Sequence, residues 1–237
     1  LIQVVDAAGS TDLEGQFNGA ATSTEAAVES VRAEIEFLEH ELDAWIGGLL
    51  EDGWNRGVRR VQAEGEKGLT SFVTERLSGL GATTSRVGQG MLAFNQRHQT
   101  EQQPWDWPPS SLLLLGQCMR EQLFPIVYAA NKMDIAPPGV LEAFPDRTMV
   151  ACMSDMELAL RRAATAGLVR YQSGDSTFDV NETAELNDAQ SKALTHMKKR
   201  LEGAGGTGIA RLLDEVLFDQ LEHIVVYPVQ DLSLIHI

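Results

Sequence analysis

The sequence is poor in basic residues, and above all in lysine. It has 19 lysines and arginines against 34 aspartates and glutamates, a formal net charge of −15 over 237 residues. Nucleic-acid phosphates are bound by basic surfaces, so this composition argues against a strong, generic nucleic-acid-binding surface. Two small basic clusters, at 56–60 and 198–200, are local exceptions, and either can be interpreted as a solvated helix face.

The acidic excess also bears on the source of the protein. Only five basic residues are lysines: Lys67, Lys132, Lys192, Lys198 and Lys199. An acidic, lysine-poor surface is typical of proteins from salt-loving organisms, in which concentrated counter-ions screen the repulsion between hydrated carboxylates. We therefore predict a halophilic, archaeal source.

Cysteine pairs, histidine clusters and long apolar runs are missing as well. Cys118 and Cys152 have neither metal-type spacing nor a disulfide framework, and we interpret both as small buried hydrophobic residues. The five histidines show no ligand spacing. No stretch of about 20 apolar residues and no basic N-terminal signal is present, which predicts a cytoplasmic protein without membrane contact.

A helical section follows an opening strand and separates it from an α/β pattern. Leu1–Asp6 reads as a buried strand, and apolar residues from Ile35 to Leu50 then recur at helical spacing, with acidic residues mostly opposite. Further helices are predicted at about 55–80, 83–97, 110–123, 155–166, 185–201 and 208–221. Strands are predicted at 126–130, 148–152 and 224–229. Trp105 and Trp107, between the two parts, are expected to pack on the helices, or alternatively to stack on a ligand.

The most informative stretch is Phe124–Asp134, an apolar run that ends in Asn131-Lys132-Met133-Asp134. Its β-branched and aromatic residues, with Pro137-Pro138-Gly139 behind them, predict the carboxyl end of a buried strand, where α/β sheets bind ligands. A carboxylate at the fourth position can accept hydrogen bonds from both the ring N–H and the exocyclic amino group of guanine, a pair that adenine lacks. The motif indicates guanine recognition, and the alternative is a plain strand-to-turn junction.

Each residue of the motif has a predicted role. Asn131 is expected to brace the loop through its amide, Lys132 to lay its methylene stem along the purine, and Asp134 to supply the specificity carboxylate. Met153 and Ser154 occupy the place of a later loop whose backbone N–H contacts the guanine oxygen in such proteins. We predict no catalytic and no metal-binding residue in the chain.

Two segments imitate the phosphate and magnesium sites that GTP hydrolysis needs. The sequence contains no Gly-x-x-x-x-Gly-Lys-Ser/Thr phosphate loop. The glycine-rich segment 203–208 has no lysine after it and follows a predicted helix, so we predict a helix–helix connector. Asp6-Ala7-Ala8-Gly9 matches Asp-x-x-Gly, but a plain loop start follows it; we interpret Asp6 as a strand end, with magnesium binding as the alternative.

Five stretches spread over nearly the whole chain carry a resemblance to a known family. They are Val4–Asp12, Glu34–Asp43, Asn131–Asp134, Glu157–Ala163 and Val226–Val229. On these residues the chain resembles the YchF/Obg-like branch of the translation-factor-related P-loop GTPases, particularly its archaeal GTP-binding members. In that family the Val-Val-Asp-Ala strand follows the magnesium-site strand, which agrees with Asp6 not binding magnesium. Relatives often carry glutamate at the last motif position with loss of guanine preference, whereas Asp134 implies GTP.

The resemblance implies an α/β fold. It consists of a partial P-loop GTPase domain with a Rossmann-like, mainly parallel sheet and an inserted helical, coiled-coil-like domain. The expected limits are 1–30 and 110–229 for the GTPase domain and 31–109 for the insertion, while 230–237 looks like a non-native tail. The implied ligands are GTP or GDP, with Mg²⁺ in the full-length protein only. The implied partners are the ribosome or translation factors.

The resemblance also implies an incomplete GTPase. The family's phosphate loop, switch regions and C-terminal TGS domain are not found in the sequence, so we expect the middle of a longer protein that does not hydrolyse GTP alone. The alternative function is a non-catalytic helical protein-interaction module on an α/β support, in which Asn131–Asp134 is a structural turn.

The charge imbalance leads to a test of the predicted source. We expect the melting temperature to rise between low and molar potassium chloride, because counter-ions screen the repulsion among the carboxylates. Thermal melts followed by circular dichroism would measure this. A melting temperature that does not respond to salt would contradict the halophilic interpretation.

Overall fold

Three parallel strands form the sheet around which the other elements are arranged. They are β1 (Ile2–Asp6), β2 (Val127–Asn131) and β3 (Met149–Ala151), in that order across the sheet. Val4 lies opposite Ala129, which lies opposite Val150. The first four residues of the central strand β2 are buried, as expected for a parallel strand covered on both faces. The structure, a computed structural model, describes residues 1–98 and 102–226.

Among the described residues, five α-helices lie between β1 and β2. They are α1 (Thr24–Glu51), α2 (Trp54–Glu64), α3 (Glu66–Arg76), α4 (Thr84–Arg97) and α5 (Pro109–Leu123). The hydroxyl of Ser23 caps the start of α1. The first half of α1 buries Val31 and Ile35 against the sheet, and its second half buries Ile46 and Leu50 among the other helices. A single helix therefore contributes to both cores.

The single helix predicted over about 55–80 is wrong. The chain breaks at Gly65, where φ is 65°, a left-handed conformation that costs glycine little. The break allows α3 to pack against α2, with the rings of Trp54 and Phe72 meeting edge to face at 5.7 Å between centroids. Trp107 also stacks on Trp54, as the packing interpretation predicts, whereas Trp105 is 42% exposed.

A polar network joins the helices to the sheet. In α5, Arg120 Nε donates a hydrogen bond of 2.5 Å to Asp43 Oδ1 of α1, and both side chains are almost fully buried. Glu39, one turn earlier in α1, accepts a bond of 2.7 Å from the Tyr128 hydroxyl of β2 and is paired with Arg147. Burial and the Glu39 carboxylate both raise the pKa of Tyr128, which keeps its hydroxyl protonated as a donor.

The chain after β3 forms a second helical layer with a short hairpin. The elements are α6 (Ser154–Thr165), β4 (Val169–Arg170), β5 (Asp179–Val180), α7 (Asp188–Ala204), α8 (Ile209–Asp214) and a π-helix (Glu215–Gln220). The antiparallel hairpin of β4 and β5 was not predicted, because two-residue strands are too short for an alternating pattern. The strand predicted at 224–229 is absent over 224–226, and its remaining residues lie outside the described range, as does the tail 230–237.

The two faces of the sheet are covered unequally. Leu212 of α8 packs on Val150 and its neighbours in β2 and β3. On the same face of β1, however, Ile2 is 38% and Val4 61% exposed. The apolar face is therefore open at its β1 edge.

The predicted fold class is confirmed: an α/β structure with a parallel sheet and a helical section between its first two strands. The domain limits at 30/31 and 109/110 stay predictions, since α1 belongs to both cores and α5 packs among the helices. None of the described helices is long and apolar enough to cross a membrane.

The buried ion pair between α1 and α5 can be tested by substitution. We expect Asp43→Asn to lower the free energy of unfolding by about 3 kcal/mol, because it leaves the buried Arg120 guanidinium with Glu39, 3.9 Å away, as its remaining acidic partner among the described residues. Asp52→Asn is the matched control, since Asp52 is 86% exposed in its pair with Arg76 and should cost less than about 1 kcal/mol. Urea unfolding of both variants measures the difference, and equal losses would contradict this account.

Candidate functional site

The motif Asn131–Asp134 leaves β2 at the carboxyl edge of the sheet, between the ends of β1 and β3. Two backbone bonds attach it to the end of β3: Cys152 N donates to Ala130 O at 2.8 Å, and Met133 N donates to Cys152 O at 3.2 Å. The loop is therefore positioned by the same ladder that orders the sheet. This is the edge at which ligands bind in open α/β sheets.

Asn131 links this loop to the start of α6. Its side-chain oxygen accepts a hydrogen bond of 3.0 Å from the backbone N–H of Ser154. The neighbouring Met153 N–H donates to the carbonyl of Thr207 at 2.8 Å. The structure thus brings Asn131, Met153 and Ser154 together, but both backbone donors proposed for the guanine oxygen already have partners. A contact of either N–H with a base would have to replace one of these bonds.

Lys132 extends its side chain towards the end of β1. Its ammonium group donates to Asp6 Oδ2 and Ser10 Oγ at 2.8 Å each, and to Thr11 Oγ1 at 2.9 Å. All three donors of the ammonium are used. The φ of Lys132 is 61°, unusual for a residue with a side chain, and these bonds hold that backbone conformation in place. The sequence could not indicate them, because the partners lie far away along the chain.

Asp6 is the centre of this cluster. One carboxylate oxygen accepts from Ala8 N at 3.0 Å, and the other accepts from the backbone and hydroxyl of Ser10 as well as from Lys132. Burial would raise the pKa of Asp6, but the hydrogen bonds from Lys132, Ser10 and Thr11 outweigh it and lower the pKa. Both oxygens are engaged by these donors, and the interpretation of Asp6 as a strand end rather than a magnesium ligand stays a prediction.

Asp134 lines a cavity of about 960 Å³. Met133 and Met153 line it beside Asp134, and the connector between α7 and α8 forms the opposite wall. Within the described part of the chain, the carboxylate of Asp134 takes part in no hydrogen bond or ion pair. Because Asp134 is only half-buried and faces the cavity, its carboxylate is accessible to a ligand.

The glycine-rich segment 203–208 joins α7 to α8, as the sequence predicts, but it also forms part of the site. A Cβ at Gly208, where φ is 84°, would lie 1.8 Å from the carbonyl oxygen of Ala151, so only glycine allows this approach to β3. The role as a cavity wall was missed from the sequence. The available signal for this role was the number of glycines in the segment, which is larger than a turn needs.

Glu157 fixes the position of this connector. Its buried carboxylate accepts hydrogen bonds of 2.6 Å from the hydroxyls of Thr207 and Tyr171, and one of 2.9 Å from Arg161. Burial would raise the pKa of Glu157, yet these hydrogen bonds and one from Ser173 lower it below its ordinary 4.5. Glu157 was not identified as a site residue from the sequence. The signal that could have identified it is an acidic residue between the apolar positions 156 and 160 of α6, which indicates a buried carboxylate.

Comparison with known proteins found a family model and GTP-binding proteins that are similar to this chain. Residues 129–231 match the family model described as Obg-like GTPase YGR210-like, G4 motif-containing domain. The chain is 31% identical over 235 residues to a GTP-binding protein of Methanocaldococcus jannaschii, covering 97% of the chain and 55% of that protein. It is 28% identical over 225 residues to a GTP-binding protein of Schizosaccharomyces pombe, covering 92% of the chain and 49% of that protein.

A solved structure agrees with the sequence comparisons. The fold is similar to the crystal structure of a GTP-binding protein from Pyrococcus horikoshii, with a TM-score of 0.69 and 30% sequence identity. The similarity covers 99% of this chain and 61% of that one. The chain spans about half the length of the curated relatives it matches.

The Glu157 cluster leads to a prediction about acid stability. Because the pKa of Glu157 is lowered on folding, its ionised form stabilises the protein above pH 4.5, and this contribution is lost as the pH falls from 4.5 through the folded-state pKa. We expect the free energy of unfolding to fall less steeply below pH 4.5 in Glu157→Gln than in the parent. Glu182→Gln is the control, because Glu182 is exposed. An unchanged slope in Glu157→Gln would contradict the assignment.

Proposed function

Because the chain belongs to the Obg-like GTPase family, we propose that it supplies the guanine-recognition half of a GTP-binding domain. The unpaired carboxylate of Asp134, in a cavity at the carboxyl edge of a parallel sheet, is the observation that carries the proposal. In this function Asp134 accepts from the ring N–H and the amino group of guanine. A site built to satisfy such a pair discriminates strongly against a base that lacks it.

The neighbouring residues hold this carboxylate in position. Asn131 ties the loop to α6, and Lys132 ties it to the end of β1. In the proposed complex the methylene stem of Lys132 lies along the purine, while its ammonium remains bonded to Asp6. Asn131 and Lys132 thus act as positioning residues around Asp134, and Met153 and Ser154 border the base.

The remaining parts of a GTP site are proposed to lie on other segments of a complete domain. The open apolar face at Ile2 and Val4 of the edge strand β1 supports this, because parallel sheets are normally covered on both faces. Phosphate contacts dominate the affinity of such sites. We therefore expect the 237-residue chain to bind GTP or GDP weakly and not to hydrolyse GTP, with Mg²⁺ entering only in the complete protein.

The cellular setting is a further proposal from the family resemblance. We propose that the complete cytoplasmic protein couples its nucleotide state to the ribosome or to translation factors, in a halophilic archaeal cell. Co-sedimentation with ribosomes, compared in GDP and in a non-hydrolysable GTP analogue, tests the association. Equal absence from the ribosome fraction with both nucleotides would count against it.

A second candidate function is a helical protein-interaction module. Phe37 and Trp45 on α1 are 57% and 49% exposed, and exposed aromatic side chains are common at protein interfaces. In that function Asn131–Asp134 is only a structural turn. The nucleotide experiment that follows separates the two candidates.

The proposed base recognition predicts that a change at Asp134 removes the preference for guanine and creates a preference for xanthine. Saturation-transfer NMR, which detects weak binding, should show stronger transfer from the chain to GDP than to ADP. Asp134→Asn should abolish this preference and favour xanthosine diphosphate, because an amide can donate to the second carbonyl of xanthine where a carboxylate cannot. The expected change in preference is about tenfold or more.

Asp146→Asn is the matched control, since Asp146 is an exposed carboxylate outside the cavity. It should keep the parent's preference for GDP. Equal transfer to GDP and ADP in the parent, or a preference that survives Asp134→Asn, would favour the interaction module. Magnesium-dependent GTP turnover by the purified chain would contradict the proposed division of the site.

A further inference from the structure

Two sequence features that base recognition does not use meet in the cavity beside Asp134. One is the basic cluster at 198–200, and the other is the glycine-rich connector 203–208. Lys199 and Arg200 from α7, together with Arg211 from α8 across the connector, line the cavity. In a chain with a net charge of −15, three positive side chains directed to one cavity need an explanation.

The spacing of α7 explains how its side chains converge. The residues at 196, 199, 200 and 203 all line the cavity, and these steps of three and four lie on one face of a helix. Lys198 lies outside the cavity lining and pairs with Asp179 instead. Among the described residues, Lys199, Arg200 and Arg211 form no ion pair, although acidic residues outnumber basic ones in the sequence.

A purely structural role accounts for only part of this cluster. Lys199 and Arg200 lie near the carboxyl end of α7, where the helix dipole favours positive charge. Arg211 lies on the other side of the connector, in the six-residue helix α8, so the dipole of α7 does not account for its position. Its position across the connector is explained if all three cations face a shared anion.

The connector adds backbone donors to the lining of the same cavity. No hydrogen bond from the backbone N–H of Thr207 or Gly208 is found among residues 1–98 and 102–226. Both residues line the cavity, and backbone N–H groups next to fixed cations are the usual components of phosphate sites. Asp134 and Asp214 are the acidic side chains of the lining, so its fixed charges sum to a small positive value.

We propose that this cavity binds a small phosphoanion through Lys199, Arg200 and Arg211, beside the base-reading Asp134 and separate from the phosphates of the bound nucleotide. A multiply charged phosphate matches three cations better than a single carboxylate does. A small ligand is favoured over RNA, because the net charge of −15 of the chain repels an extended polyanion. At about 960 Å³ the cavity has room for such a group beside a base.

The test uses inorganic pyrophosphate and the 237-residue chain. Isothermal titration at constant ionic strength, without any nucleotide, should show saturable binding to the parent. The double variant Arg200→Gln/Arg211→Gln should bind at least about tenfold more weakly, because two charge-assisted contacts are lost. The control Arg162→Gln/Lys192→Gln makes the same charge change outside the cavity lining and should bind like the parent. Circular dichroism melts confirm that each variant is folded.

Two further arms identify the ligand and separate this proposal from base recognition. Asp134→Asn should bind pyrophosphate at least as well as the parent, whatever its effect on guanine. A uridine octanucleotide, which has no guanine, should bind more weakly than pyrophosphate. The proposal is overturned if the parent shows no saturable binding of pyrophosphate, or if both double variants weaken that binding equally. It is also overturned if the chain binds the octanucleotide but does not bind pyrophosphate.

Discussion

The parallel pairing of β1 with β2 is the constraint on which the rest of the structure depends. Ile2 lies opposite Val127 and Asp6 opposite Asn131. The chain must therefore leave β1 at the carboxyl ends of the strands and return to their amino ends before it enters β2. The intervening helices meet this requirement because α1 leads away and α5 leads back, with Arg120 and Asp43 bonded between them. The helical section therefore determines where β2, and the loop at its end, can lie.

Two satisfied polar networks hold that loop from opposite sides. On the β1 side, the Lys132 ammonium is bonded to three oxygens; on the β3 side, Asn131 is bonded to the start of α6, and Glu157 holds the connector against β3. Networks in which every member has a partner make a site rigid. Between them, Asp134 has no partner among the described residues, and this free carboxylate is the group that we propose reads the base.

Charge is distributed unevenly between these networks and the surface. The protein carries a large acidic excess, yet Lys132, one of only five lysines, is engaged in the cluster around Asp6. Near the connector, positive side chains gather around the one cavity that also contains Asp134. A net charge of −15 disfavours extended polyanions at long range, while short-range contacts inside a cavity can still select a small anion.

The sequence alone determined the elements whose signals are local. Periodicity identified α1, an apolar run identified β2, and a preceding helix with no lysine after the glycines identified 203–208 as a connector, because each pattern depends on neighbouring residues. The role of Asn131–Asp134 in reading a base stays a prediction from its motif. Only the tertiary structure decided the break at Gly65, the partners of Lys132, the engagement of the Met153 N–H and the cavity wall. These features depend on contacts between residues far apart in the chain, and such contacts produce no periodic pattern in the sequence.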